Sequence, residues 1–220
     1  MVFNLGTNIG VLGQFRLGRL YLKRNASVET GATTLPTGES QLKGWQAILD
    51  FDQFDRAFYP TKGWSARTSY YRDDDLGYSK FTADLRAAHS WGPYVLNGRF
   101  SYVGSPEGRL PISNAGTLGG FLNLSGFVLN QIIADDLRFF SIRGERVIGK
   151  MPLGLSGDLR VGLSLEAGQA RGRFTETGLE RWQESVALYL GGETPLGPTY
   201  LGFGKTRSGP YSLYLYIGLP

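Results

Sequence analysis

His89 is the single histidine in 220 residues, and there is no cysteine. A hydrolase of the serine or cysteine type needs a nucleophile and an oriented base within hydrogen-bond reach of each other. His89 is the one candidate base of that kind. It falls on the apolar parity at the end of an alternating segment, two residues before Trp91, which suits an interface better than a triad. No G-x-S-x-G elbow occurs, so a serine hydrolase of that design is not encoded in this stretch. Without cysteine there are no disulfides and no thiolate metal sites, and no histidine cluster replaces them. Asp50, Asp52 and Asp55 lie close in sequence but lack the spaced loop ligands of a calcium site. Asp73, Asp74 and Asp75 read as a solvated acidic loop, with divalent bridging to lipopolysaccharide as the functional alternative. The expectation is a protein that is not an enzyme and holds no metal or cofactor.

A second group of residues has unusual backbone chemistry. In Gly119-Gly120-Phe121-Leu122-Asn123-Leu124-Ser125-Gly126-Phe127, with Gly116 before it, four glycines fall within eleven residues. Glycine permits positive φ and close approach to another surface. The motif sits in the longest segment without clear alternation, residues 105–136. A long loop inside a compact β pattern is either functional or disordered.

The elements that must carry this loop are strands. Trp45, Ala47, Leu49 and Phe51 alternate with Gln46, Asp50 and Asp52, and Trp64, Ala66 and Tyr70 with Ser65, Arg67 and Ser69. The same period of two runs through Phe81–Ala87, Tyr94–Tyr102, Phe140–Glu145, Leu159–Glu166, Val186–Leu190, Leu201–Phe203 and Leu213–Ile217. By this parity Arg143 and Glu166 stand on the polar side. The first clear strand, Gln14 to Lys23, changes phase between Leu17 and Leu20, which predicts a bulge. The apolar Val128, Leu129, Ile132 and Ile133 predict one or two helical turns. About ten strands result, each of the ~10-residue length that crosses a bilayer obliquely.

Short turns (Tyr59–Gly63, Gly92-Pro93, Pro152–Gly154, Gly197-Pro198) alternate with longer polar ones (Asn25–Gln41, Arg72–Ser79, Gln169–Arg181). That asymmetry marks an outer-membrane barrel. A soluble β-sandwich would also alternate, but has no reason to sort its loops by length. Aromatic residues near strand ends fit interfacial girdles, and they are also simply good strand formers. Thirty-two glycines, 13% aromatic residues and 41% hydrophobic residues agree with a barrel that hides its apolar positions at every second residue. No apolar run reaches the ~18 residues of a transmembrane helix. The net charge of +4 is small and scattered, which argues against nucleic-acid binding. The start, Met1-Val2-Phe3-Asn4, lacks a secretory signal, so an outer-membrane protein would have its signal outside this chain.

Four motifs in order resemble the outer-membrane insertase and translocator superfamily that includes BamA, TamA, FhaC and the barrels of secreted patatin-like phospholipases. Asp52-Gln53-Phe54-Asp55, followed by Pro60-Thr61-Lys62-Gly63-Trp64, is similar to its D-x-x-D and P-T-x-G-aromatic strand-turn signature. The GGFLNLSGF loop falls where the family has a double glycine followed by V/L-R-G-F/Y. Glu193 to Pro198 resembles its T-P-L-G-P turn. Leu215 to Pro220 resembles its closing strand without the final aromatic. The leucine-serine loop looks most like the patatin-type barrels.

The resemblance implies one antiparallel transmembrane β-barrel domain over residues 1–220, with the loop folded into the lumen. Gly119, Gly120, Leu124, Ser125, Gly126 and Phe127 would dock on the inner wall. In the family an arginine of the motif pairs with an acidic residue of a nearby strand. Here Ser125 occupies the arginine position and Glu166 falls at about the acidic one. Arg143 is either an ordinary lumen residue or the partner of Glu166. The strand-turn motif is carried by Asp52, Asp55, Pro60 and Gly63. The implied function is membrane anchoring with passage or insertion of a polypeptide, as the translocator of a patatin-like autotransported protein. The implied location is the bacterial outer membrane. Partners would be membrane lipid and lipopolysaccharide, a translocated polypeptide or fused passenger, and a second copy if a homodimer forms. The competing reading is a passive structural or pore-type barrel, reduced or engineered; an enzyme built on His89 comes third. Family barrels have sixteen strands, so about ten leaves two options. Either upstream strands lie outside this chain, or a smaller barrel closes on itself.

Overall fold

Period-two alternation over ten or more residues leaves a strand one satisfactory arrangement, with its apolar side on one face of a sheet. The computed structural model describes residues 2–26, 38–151, 157–176, 181–194, 197–207, 209 and 211–218. It shows one antiparallel sheet of twelve strands. Eleven follow one another as neighbours: β1 (Val2–Ile9), β2 (Gly13–Ala26), β3 (Gly38–Asp52), β4 (Gly63–Asp73), β5 (Ser79–Trp91), β6 (Tyr94–Gly104), β8 (Ile132–Lys150), β9 (Asp158–Arg173), β10 (Gln183–Thr194), β11 (Gly197–Thr206) and β12 (Tyr211–Ile217). The twelfth, β7 (Gly116–Leu118), lies within the long loop and pairs with the start of β8.

Among the described residues β1 pairs with β2 alone and β12 with β11 alone, so the sheet has two free edges. Connections at one end span residues 10–12, 53–62, 92–93, 151–157 and 195–196. At the other they span 27–37, 74–78, 105–131, 174–182 and 207–210, so the longest connection lies at the end opposite the 53–62 turn. The outer face is a nearly unbroken apolar surface including Leu85, Leu96, Phe140, Leu163, Leu188 and Leu201, all exposed. A contiguous exposed apolar area of this extent marks a membrane or partner surface. Among the described residues no helix is long and apolar enough to cross a membrane.

Three sequence expectations change. The sheet has eleven strands in its path rather than about ten, because Val2–Ile9 adds a strand before the first one evident in the sequence. The phase change in β2 is not a bulge. Its pairing with β3 runs unshifted from Gly13 to Ala26, and Leu20 and Leu22 face inward against Leu42, Tyr71, Tyr78 and Leu110. Apolar residues switch face there because the lumen itself is apolar at that height. The described pairs place the sheet's register shift in β8, between Val147 and Gly149. Residues 128–133 form no helix: a turn leads into β8 at Ile132, so the loop ends five residues earlier than expected. The described residues contain one helical piece, a 3₁₀ turn at Ile112–Asn114. Of the Glu193–Pro198 turn, Pro195 and Leu196 lie outside the described residues, as do Pro152–Gly154, Leu219 and Pro220.

Candidate functional site: a loop and a turn docked in the lumen

The loop 105–131 turns back into the lumen and places its tip against β9–β12. The tip first holds its own shape. Gly119 N–H donates to Asn123 O (2.9 Å), Gly120 N–H to Phe127 O (3.1 Å), and Leu122 N–H to Ser125 Oγ (2.9 Å). Leu122 and Leu124 adopt positive φ (56° and 77°) between glycines that do the same. Such backbone is costly for leucine and persists only where the surroundings enforce it.

Glu166 of β9 is what enforces it. Its Oε2 accepts hydrogen bonds from Leu124 N–H (3.0 Å), Ser125 N–H (2.6 Å) and Ser185 Oγ (2.9 Å), and its Oε1 accepts one from Ser125 Oγ (3.0 Å). Leu124 and Ser125 are fully buried and Glu166 nearly so. One carboxylate thus closes a ring of four donors, a charge-assisted set that serine fits where a longer cation would need room. From β12, Ser212 Oγ donates to Gly126 O (3.2 Å) and Tyr214 OH bonds both Gly126 N–H (3.0 Å) and Phe127 O (3.1 Å). Leu124 and Phe127 pack with Leu118, Ile132, Leu137 and Phe139.

Arg143 does not meet Glu166. Its Nε lies 3.3 Å from Glu145 Oε1 on its own strand, because residues two apart share a face while Glu166 pairs across from Ser141. Glu145 also takes Arg160 (3.2 Å, both side chains buried) and the Tyr189 hydroxyl (2.7 Å). Sequence parity shows Glu145 and Arg160 pointing inward but not that they meet; no single motif identifies this cluster.

The strand-turn motif forms a second inward projection. Asp55 Oδ1 accepts from Thr61 N–H (2.8 Å) and Lys62 N–H (3.0 Å), and Oδ2 from Thr61 Oγ1 (2.6 Å). Partial burial alone would raise the Asp55 pKa; these hydrogen bonds outweigh it and hold the pKa at about 2. Asp52 Oδ1 caps Phe54 N–H (3.1 Å). Gly63 has φ 109°, and a Cβ there would lie 2.1 Å from Gln53 O, so the turn closes only on glycine. Pro60 follows Tyr59, whose φ of 46° turns its ring into the lumen. Tyr59 is buried against Tyr200 (ring centroids 5.2 Å) beneath the Arg160 guanidinium (5.1 Å), and its hydroxyl donates to Thr199 O (3.0 Å). Burial pushes the phenol pKa far above its ordinary value. Phe121 of the loop reaches the same patch, with Tyr189, Tyr200 and Tyr214 at 5.8, 5.4 and 5.1 Å. Loop and turn therefore meet one aromatic floor from opposite ends of the barrel.

Inward glycines shape that floor. A Cβ on Gly202 would lie 2.5 Å from Phe121, on Gly168 2.6 Å from Leu118, on Gly191 2.6 Å from Tyr59, and on Gly204 2.6 Å from Ser125. Each is a socket whose missing side chain lets a docked group approach the wall. His89 takes no part: it stands on the outer face, stacked on Trp91 at 6.0 Å. Among the described residues no cluster of acids or histidines could hold a metal.

No family model matches the chain, and no curated protein matches it. Among solved structures it is similar to BamA from Haemophilus ducreyi lacking POTRA domains 1–3, with a TM-score of 0.72 at 14% identity. The likeness covers 97% of this chain and 51% of that one, so the chain spans about half that protein's length. At this identity the likeness concerns the fold: an all-β, antiparallel barrel wall of the outer-membrane type.

Proposed function

We propose that this chain forms the wall of an outer-membrane barrel of the insertase and translocator type, anchoring in the bilayer and passing or inserting a polypeptide. The observation that carries the reading is the inward loop clamped by Glu166. A passive pore has no need to hold Leu122 and Leu124 in costly backbone conformations at the tip of a 27-residue loop. Within this class we favour the translocator of a patatin-like autotransported protein, because the loop carries Leu-Ser-Gly in place of an arginine motif.

The test is assembly of a denatured small outer-membrane barrel into liposomes that contain this chain, read as heat-modifiable gel mobility over time. The expected result is faster assembly than in protein-free liposomes, with Glu166→Ala returning most of the way to the protein-free rate. Equal rates with and without the wild-type chain would leave the passive barrel as the better reading.

A further inference from the structure

The outer face carries one feature that the lumen does not explain. Leu96 of β6, Gly144 of β8, Leu163 of β9 and Leu188 of β10 are register partners in one outward row. Gly144 alone lacks a side chain, and a Cβ there would meet nothing within 4 Å. The result is a lipid-facing groove of about 300 Å³, lined mainly by apolar groups of Leu96, Val161, Leu163 and Leu188. Trp91, Tyr94 and Arg146 form its end nearest the short turns. Trp91 and Tyr94 are stacked at 6.4 Å and both are exposed; such outward aromatic residues mark the headgroup level.

Arg146 stands at that level over the Tyr94 ring (5.6 Å). Among the described residues no carboxylate lies within salt-bridge distance of it. Glu145 beside it points inward, where it holds Arg143 and Arg160. Arg138, at the far end of the same strand, is the internal control. It has the same aromatic seat, over Tyr102 at 5.9 Å, but Asp136 lies 3.5 Å from its Nε. Lys150 is likewise taken by Asp158 at 2.6 Å.

We propose that this groove binds one anionic glycerophospholipid, with an acyl chain over Gly144 and the phosphate on Arg146. Gly144 lies two residues, roughly 7 Å, toward the middle of the sheet from Arg146, so the headgroup and the first part of a chain are served in the order in which a lipid presents them. A guanidinium seated on an aromatic ring and free of a carboxylate favours a net negative headgroup over a zwitterionic one, whose own ammonium competes for the phosphate. The inference rests on the outer face being membrane-embedded.

Trp91 supplies the probe. With Trp45, Trp64 and Trp182 replaced by Phe, the full chain is reconstituted in bilayers containing equal small fractions of chain-brominated phosphatidylglycerol or phosphatidylcholine, which quench indole on contact. Quenching should report about fivefold enrichment of phosphatidylglycerol at Trp91, the size expected for one arginine near a membrane surface. Arg146→Gln should bring the ratio to about one, Arg138→Gln should leave it, and Gly144→Leu should reduce it by filling the groove. Equal quenching by the two lipids in the otherwise unaltered chain, or a preference that survives Arg146→Gln, overturns the site while leaving the membrane reading intact. No quenching by either lipid overturns the membrane reading itself. Native mass spectrometry of the chain with all four tryptophans checks the result: one retained anionic phospholipid is expected, lost in Arg146→Gln.

Discussion

The inner faces of β2–β6 and β9–β12 are built from the same strand geometry and end in opposite chemistry. Beyond the apolar patch of Leu20, Leu22, Leu42 and Tyr71, the inward positions of β2–β6 carry charged side chains that pair along the wall, as Arg16 does with Asp50 (3.3 Å) and Arg99 with Asp84 (2.9 Å), each about a quarter to a third exposed. Arg99, with Arg86 and Asn97, faces a cavity of about 290 Å³ whose other side is formed by Arg143, Ser164, Tyr200 and Leu122. On β9–β12 the inward positions include Gly168, Gly191, Gly202 and Gly204, and the space left by the absent side chains is filled by Leu118, Phe121 and Ser125 of the loop and by Tyr59. One wall solvates itself with charge; the other is solvated by another part of the chain. The difference shows that in a barrel the identity of inward residues decides whether a wall faces water or receives a guest, while the outward pattern is the same for both.

The comparison is broken most severely at Glu166. Glu166→Ala leaves Leu124 N–H and Ser125 N–H buried without acceptors and should cost about 3–5 kcal/mol of loop docking. Hydrogen exchange should rise over residues 118–127 and stay unchanged on β2–β5. If protection falls equally on both walls, the division proposed here is wrong. Next is Gly202→Val, which pushes a side chain into Phe121; overpacking of this kind costs about 1–3 kcal/mol and should lower the urea midpoint of the barrel. Gly98→Ala is its counterpart on the outer face, where a Cβ meets nothing within 4 Å, and should stay within about 0.5 kcal/mol of wild type. Tyr59→Phe removes the hydroxyl that bonds Thr199 O and should cost about 0.5–1.5 kcal/mol in the same titration. On the charged wall, Asp84→Asn should cost less than about 1 kcal/mol, because its pairs are partly solvated.

The smallest effect is local and set by pH. The Asp55 pKa is depressed to about 2, so its contribution is complete above the ordinary carboxylate range near 4. That contribution is lost as pH falls through about 2. Amide exchange at Thr61 and Lys62, corrected for its intrinsic pH dependence, should therefore lose protection between roughly pH 4 and pH 2. In Asp55→Asn that step should be absent.

Much of the site was legible, in pieces. Alternation placed Glu166 on the inner face, and the glycine density of residues 116–126 marked the segment that must approach a wall closely. Motif resemblance brought those two pieces together. What was not legible is which inward charge meets which. Arg143 and Glu166 share a parity, but Glu145 is two residues from Arg143 on the same face and takes it instead. Tyr59 gave no signal as a lumen residue, because its inward turn depends on a positive φ and on a socket at Gly191, 132 positions later. Leu20 and Leu22 misled for a related reason: their apolar partners Leu42 and Tyr71 come from neighbouring strands and Leu110 from the loop.

The sequence by itself determined ten of the eleven strands in the path, their apolar outer face and the end at which the long loop lies, because side-chain alternation is a local property of extended backbone. Only the tertiary structure decided that the loop tip closes on Glu166 and that the turn at Tyr59 reaches the same floor from the other end. It also decided that Leu20 and Leu22 face an apolar lumen. Each of these depends on curvature accumulated over many strands, which brings together residues that no period in the sequence relates.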